Sequence, residues 1–225
     1  MFNHILTSII GSHPRIQDAI KYFEDEGRII AVVADGLGSR MKSADGARLI
    51  CKLVVEELKS KDLPLHSADI DSPKMWYEHL ERQDSNHDDY CTTCSFVVID
   101  KKTKQMNIGQ IGDSPVFFTC DGKPIEELRH EKEFSNVTDC LGGKTINSFA
   151  LYNHVYSSGV KILLTTDGFG DELDSSRLEP LFDYMVTKYQ NFTRKSRSRR
   201  FTKEMKTTIG NVNSDDKSAI FIWSA

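Results

Sequence analysis

Apolar run after apolar run in this chain ends on an aspartate. Ala31 to Gly36 (AVVADG), Ile108 to Ser114 (IGQIGDS) and Ile162 to Gly168 (ILLTTDG) run into Asp35, Asp113 and Asp167. In a fourth case the order reverses, and the run Ser218 to Trp223 begins just after Asp215 and Asp216. Short apolar runs bounded by turn residues have the pattern of buried strands. If the last strand lies antiparallel to the others, all these carboxylates meet at one edge of a buried sheet. Carboxylates packed that closely repel one another unless a cation lies between them. Hard divalent ions with oxygen ligands, Mg²⁺ or Mn²⁺, answer this most simply. The chain is therefore expected to hold a cluster of metal ions.

The rest of the composition narrows the setting. At 225 residues, 39% hydrophobic and 28% charged, there is ample chain for a core. A net charge of −4 gives no reason to expect a nucleic-acid partner. The N-terminal MFNHILTSIIGSH has no basic segment and no small-residue cleavage site, so it is not read as a signal peptide. No apolar stretch approaches the ~18 residues of a membrane span, so no membrane partner is expected. The five cysteines include Cys91-Thr-Thr-Cys94, but no second pair completes a zinc site. Free, buried, reduced thiols follow, and with them a cytoplasmic location.

β-rich segments recur at Ile5 to Ile10, Ile29 to Ala34, Ser95 to Asp100, Gln105 to Ile111, Val116 to Cys120, Val160 to Thr166 and Ser218 to Trp223. The polar Asp100 to Lys104 makes 95–111 a hairpin, and Asp121-Gly122 marks a second turn. Helical spacing of Ala47, Ile50, Cys51, Val54 and Leu58 predicts a helix over 43–60, N-capped by Ser43. Further helices are expected near 73–82, 176–190 and 197–209, with Asp171 and Asp174 as N-caps. Strands and helices do not alternate strictly, which argues for an antiparallel α+β architecture with helices outside the sheets. No repeat or linker divides the chain, so 1–225 reads as one domain. Segment 121–148 is the least regular and is a candidate flap beside the site.

Taken singly, Asp35-Gly36 and Asp167-Gly168 are ordinary turn signals, and Asp113 is a turn residue. Four acidic strand ends in one chain are harder to dismiss. Gly36 has a carbonyl that nothing shields, suited to a metal. Gly11 to Asp18 gathers His13, Arg15 and Asp18 in a polar loop, and arginine suits a phosphate. Arg194 to Arg200 places five positive charges in seven residues, either a solvated helix start or a docking patch for acidic or phosphorylated partners.

The ordered set Gln17-Asp18-Ala19, Val33-Ala34-Asp35-Gly36-Leu37-Gly38, Thr92-Thr93, Gly112-Asp113-Ser114, Thr166-Asp167-Gly168 and Asp215-Asp216-Lys217-Ser218 resembles the PP2C family of metal-dependent serine/threonine protein phosphatases, in its compact bacterial form. The resemblance runs from about residue 8 to the C-terminus. It implies a sandwich of two antiparallel β-sheets flanked by helices, in agreement with the reading above. It implies that Asp35 bridges two ions and Gly36 adds its carbonyl to one of them. Asp167 and Asp215 then complete the first ion's ligands, and Asp18 stands at the second. Asp113, with Asp167, holds a third, weaker ion. Catalysis is expected to run through a metal-activated water, with Asp35, Asp167 and Asp215 as the catalytic set.

Departures from the family pattern bear on activity. His13 stands where the family has a phosphate-binding arginine, so the substrate phosphate falls to Arg15 or His13, with Arg15 expected to matter more to KM. Leu37 stands where members often carry a proton-donating histidine. Two functions are therefore weighed: a phosphatase acting on phosphorylated proteins as a monomer, and a catalytically weak or inactive phosphatase-like regulatory binding module.

Overall fold

A computed structural model describes residues 1–129, 139–143 and 148–224. Its strands are β1 (Phe2–Ile9), β2 (Ala19–Glu24), β3 (Arg28–Ala34), β4 (Cys94–Asp100), β5 (Gln105–Ile111), β6 (Val116–Thr119), β7 (Glu126–Leu128), β8 (Ala150–Val155), β9 (Lys161–Thr165) and β10 (Lys217–Ser224). They form two five-stranded sheets, ordered β1-β10-β9-β6-β7 and β2-β3-β4-β5-β8. Every strand pairing among the described residues is antiparallel. The expected sandwich is the observed one.

The period-two alternation of strand side chains explains how both faces of each sheet are used. From β3, Ile29, Ala31 and Val33 point between the sheets, where they meet Val116, Ile162, Leu164, Ile220 and Ile222. Ile30, Val32 and Ala34 point the other way, onto helices α1 (Ser43–Leu58) and α2 (Ser72–Glu81). On the opposite outer face, Ala219, Phe221 and Trp223 of β10 pack with Phe182, Met185, Phe201 and Met205. Those residues come from helices α4 (Leu178–Tyr189) and α5 (Arg194–Thr208). A strand buried on both faces reads as continuously apolar, as these do.

Three strands escape the sequence pattern, and each has a physical reason. Strands β2, β7 and β8 lie at sheet edges and are largely half-buried or exposed, so AIKYFE, EEL and ALYNHV carry polar residues. Strand β7 also occupies the start of the expected flap, whose parts at 130–138 and 144–147 lie outside the described residues. At its other end Leu141 is pinned to Thr92 by a reciprocal backbone pair of 3.1 and 2.9 Å.

The capping expectations divide. Lys42, not Ser43, is the N-cap of α1, and the Ser43 hydroxyl bonds to the Arg40 carbonyl at 3.2 Å instead. Asp174 does cap its turn, accepting from the Ser176 N–H at 2.9 Å. Asp171 does not; it follows the short helix α3 (Asp167–Gly170) and pairs with Arg129. The basic run is the first part of α5, earlier than expected, and it is not simply solvated. Arg194 pairs with Glu24 at 2.8 Å. Arg197 is buried, donates to the carbonyls of His4, Tyr189, Gln190 and Phe192, and lies 4.9 Å over the Trp223 ring. All five cysteines are buried and none forms a disulfide, as expected.

Beneath α5, His4 is only 2% exposed and its ring lies 3.8 Å from that of Tyr22. Burial, with the nearby cation of Arg194, lowers its pKa to about 4. The folded chain thus keeps His4 neutral where the unfolded chain protonates it. The His4 contribution is complete above about pH 6.5 and is lost as pH falls toward 4, by about 3 kcal/mol in all. In urea titrations at pH 7 and pH 4.5, His4→Phe is expected to lose about 2 kcal/mol less stability between the two pH values than the native chain. An equal loss in both proteins contradicts the buried neutral histidine.

Candidate metal and phosphate site

Strand pairing alone brings the aspartates together. Strand β2 begins beside the end of β3, with Ala19 opposite Ala34, so Asp18 arrives next to Asp35. Strand β10 begins beside the end of β9, with Ala219 opposite Thr165, so Asp215 and Asp216 approach Asp167. Asp113 sits on the connection between β5 and β6. The two sheets therefore contribute their ends to one cleft of about 170 Å³, lined by Asp35, Asp113, Asp167, Asp215 and Asp216 together with His13, Gln17, Leu37 and Thr93.

Two glycines make the approach possible. A Cβ on Gly36 would come within 2.7 Å of the Ser43 backbone and 2.8 Å of the Gln17 carbonyl. A Cβ on Gly168 would lie 2.2 Å from the Asp216 carbonyl oxygen. Each Asp-Gly step is thus a close-packing requirement as well as a turn.

Backbone and hydroxyl bonds then leave the carboxylates free to face the cleft. The Asp35 N–H donates to Thr93 Oγ1 at 3.2 Å, and its carbonyl accepts from Thr93 N–H at 2.9 Å and Thr92 Oγ1 at 2.8 Å. Thr166 Oγ1 donates to Asp18 Oδ2 at 2.8 Å. Asp216 is occupied differently, accepting the N–H groups of Gly11 at 2.7 Å and Gln17 at 2.5 Å, which ties the 11–17 loop to the start of β10. Of the doublet, Asp216 is buried and holds backbone, whereas Asp215 is exposed at the cleft.

The electrostatics follow from this crowding. Asp35 contacts both Asp18 and Asp167, and burial together with those two charges holds its pKa well above the usual carboxylate range. Burial pushes Asp18 up to about 7. Asp167 is raised by burial and by the nearby charge of Asp113. Without a cation, carboxylates so placed must share protons.

A divalent ion fits this donor set. The donors are all oxygens, as Mg²⁺ and Mn²⁺ require, and Asp18 Oδ1 is buried without a hydrogen-bond partner. Among the described residues no three acidic, histidine or cysteine side chains form a finished ion cage. The contacts run from Asp18 through Asp35 to Asp167.

The two candidates for phosphate are placed differently. His13 lines the cleft, its Nε2 3.4 Å from where a Cβ on Gly38 would stand, and its Nδ1 is buried without a partner. Arg15 turns outward, donating to the Met41 carbonyl at 2.9 Å and lying 3.8 Å from Asp45. It does not line the cleft. Sequence reasoning gave no role to the Thr166 hydroxyl and counted Asp216 only among the gathered carboxylates, not as the holder of the 11–17 loop. Both sit in the motifs it singled out, but which member of an Asp-Asp pair turns inward depends on the register of β10.

A search of curated proteins returned no match. Solved structures are similar over the full fold. RsbX in complex with magnesium is 18% identical, covering 100% of this chain and 96% of that one at a TM-score of 0.66. The S. agalactiae serine/threonine phosphatase is 17% identical, covering 100% of both chains at 0.67. The catalytic domain of the serine/threonine phosphatase PstP, with two manganese ions, is 13% identical, covering 98% and 97% at 0.65. These likenesses establish the fold. The model of the protein phosphatase 2C family matches residues 7–221, and this chain, with its aspartates gathered at the joint end of two antiparallel sheets, belongs to that family.

Proposed function

We propose that this chain is a Mg²⁺- or Mn²⁺-dependent phosphatase that hydrolyses phosphoserine or phosphothreonine in proteins. The observation that carries the reading is the contact series from buried Asp18 through Asp35 to Asp167 at the cleft, with one Asp18 oxygen left unpartnered. Asp35 and the Gly36 carbonyl, with Asp167 and Asp215, would hold the first ion. Asp35 and Asp18 would hold a second, and Asp113 with Asp167 a third, weaker one. Such ions, when bound, lower the pKa of a water and neutralise phosphoryl oxygens.

The chain's own residues supply position. Thr92 and Thr93 fix the Asp35 backbone at the cleft. His13 stands at the cleft wall with an unpartnered ring nitrogen and is the residue that meets the substrate phosphate. Leu37 offers no proton, so the leaving oxygen takes its proton from water. The reading includes one domain over 1–225, a monomer, a cytoplasmic location and phosphorylated proteins as partners. No helix among the described residues is long and apolar enough to cross a membrane.

The second reading, a weak or inactive regulatory binding module, is favoured by Leu37 in the cleft and Arg15 outside it. Retention of the whole acidic set argues against it, since carboxylates crowded together are costly unless they are used.

Replacing Asp35 by Asn separates stability from activity. Asp35→Asn relieves the repulsion, so the metal-free variant is expected to melt a few degrees higher than the metal-free native chain. Turnover should fall by about 10²-fold or more, and the stabilisation by Mn²⁺ seen in the native chain should vanish. A folded Asp35→Asn protein with full turnover contradicts the assignment.

Steady-state kinetics on a phosphothreonine peptide decide the phosphate contact. His13→Ala is expected to raise KM more than Arg15→Ala, the reverse of the order suggested by residue type alone. A larger effect at Arg15 would return that role to the arginine.

A further inference from the structure

Two cysteines lie one bridge away from the cleft, and the reaction uses neither. Thr92 forms short antiparallel bridges with Gly36 on one side and Leu141 on the other. Cys91 and Cys140 precede these bridge residues, and their thiols are in hydrogen-bond contact with no disulfide between them. They are 2% and 9% exposed. Gly142 packs on Cys91 with φ +98°, and a Cβ there would lie 2.8 Å from Cys91 Sγ. The Cys91 carbonyl also accepts the Leu37 N–H at 3.0 Å, so the sulfur's own residue holds the cleft rim.

We propose that Cys91 and Cys140 form a reversible disulfide when the protein meets hydrogen peroxide, and that this bond slows the chemistry of the cleft. The second half rests on the phosphatase reading; the first does not. The other cysteines are poorer candidates. Burial raises the pKa of Cys51 and Cys94, and the Cys51 thiol donates to the Ala19 carbonyl at 3.6 Å. Contact with the Cys140 thiol, and then the charge of Arg40, lowers the pKa of Cys91, making it the first to react.

The steps balance without a further reagent. The Cys91 thiolate attacks one peroxide oxygen, the O–O bond breaks, and the departing hydroxide takes up a proton as water. Cys91 is then a sulfenic acid. The Cys140 sulfur attacks the Cys91 sulfur, the S–O bond breaks, and hydroxide leaves as a second water with the Cys140 proton. Two thiols are oxidised and one peroxide is reduced to two waters. Peroxide is close to water in size, which suits sulfurs this buried.

The bond draws sulfurs in non-bonded contact to about 2.05 Å. Cys91 cannot move alone, because its carbonyl holds Leu37 and its neighbour Thr92 holds Asp35 and Gly36. The displacement therefore passes to the residues that position the aspartates.

To test this, the metal-free native chain is treated with hydrogen peroxide, quenched with catalase, alkylated, digested and mapped by mass spectrometry. The expected result is a peptide pair joined through Cys91 and Cys140. After reloading with Mn²⁺, turnover on a phosphothreonine peptide should be lower by about ten-fold, since misplacements of about an ångström cost up to ~10²-fold. A phosphine reductant should restore it, and Cys140→Ser should give no linked pair. Both thiols alkylated intact after peroxide, or a bond to another cysteine, overturns the disulfide. A linked pair with undiminished turnover overturns its coupling to the cleft. A reduced, folded chain without turnover counts against the phosphatase reading alone, and the mass map still decides the bond.

Discussion

The structure depends on how carboxylates can be buried against one another. Asp35 touches both Asp18 and Asp167 at the joint end of two sheets, and burial raises the pKa of all three. A fold that gathers such groups loses stability by it unless protons or cations intervene. Their persistence at one cleft is what gives the aspartates a chemical meaning beyond turn formation.

Antiparallel pairing is the device that gathers them. Strands β2 and β10 begin where β3 and β9 end, so residues distant in sequence arrive side by side with a fixed register. The Thr92 and Thr93 segment then holds the Asp35 backbone, the Thr166 hydroxyl donates to the Asp18 carboxylate, and Asp216 ties the 11–17 loop to the start of β10. The glycines at 36 and 168 remove the side chains that would hold these segments apart. The residues after Cys91 and Cys140, Thr92 and Leu141, are paired in the same bracket.

Much of this was legible in the chain, for physical reasons. Strands β3, β4, β9 and β10 are covered on both faces, and their residues are continuously apolar as a result. Edge strands β2, β7 and β8 have no such signature. The aspartates stood out because each ended an apolar run. Their mutual contacts depend on register, which no single segment encodes. The phosphate contact was the hardest to place. Residue type favours Arg15, yet the Met41 carbonyl and Asp45 hold its guanidinium outside while His13 lines the cleft. Ser43 looked like an N-cap and instead bonds the Arg40 carbonyl beside the cleft, a role set by the packing of α1 on Gly36.

The most direct test of the account is calorimetric titration of the metal-free native chain with Mn²⁺ near pH 7, in two buffers of different ionisation enthalpy. Burial and their mutual charge raise the pKa of Asp18 and Asp35 when no cation lies between them, so Mn²⁺ should bind and release protons as it does so. A folded chain that takes up no Mn²⁺ would contradict the central claim, because the buried aspartates would then have no cation to answer them.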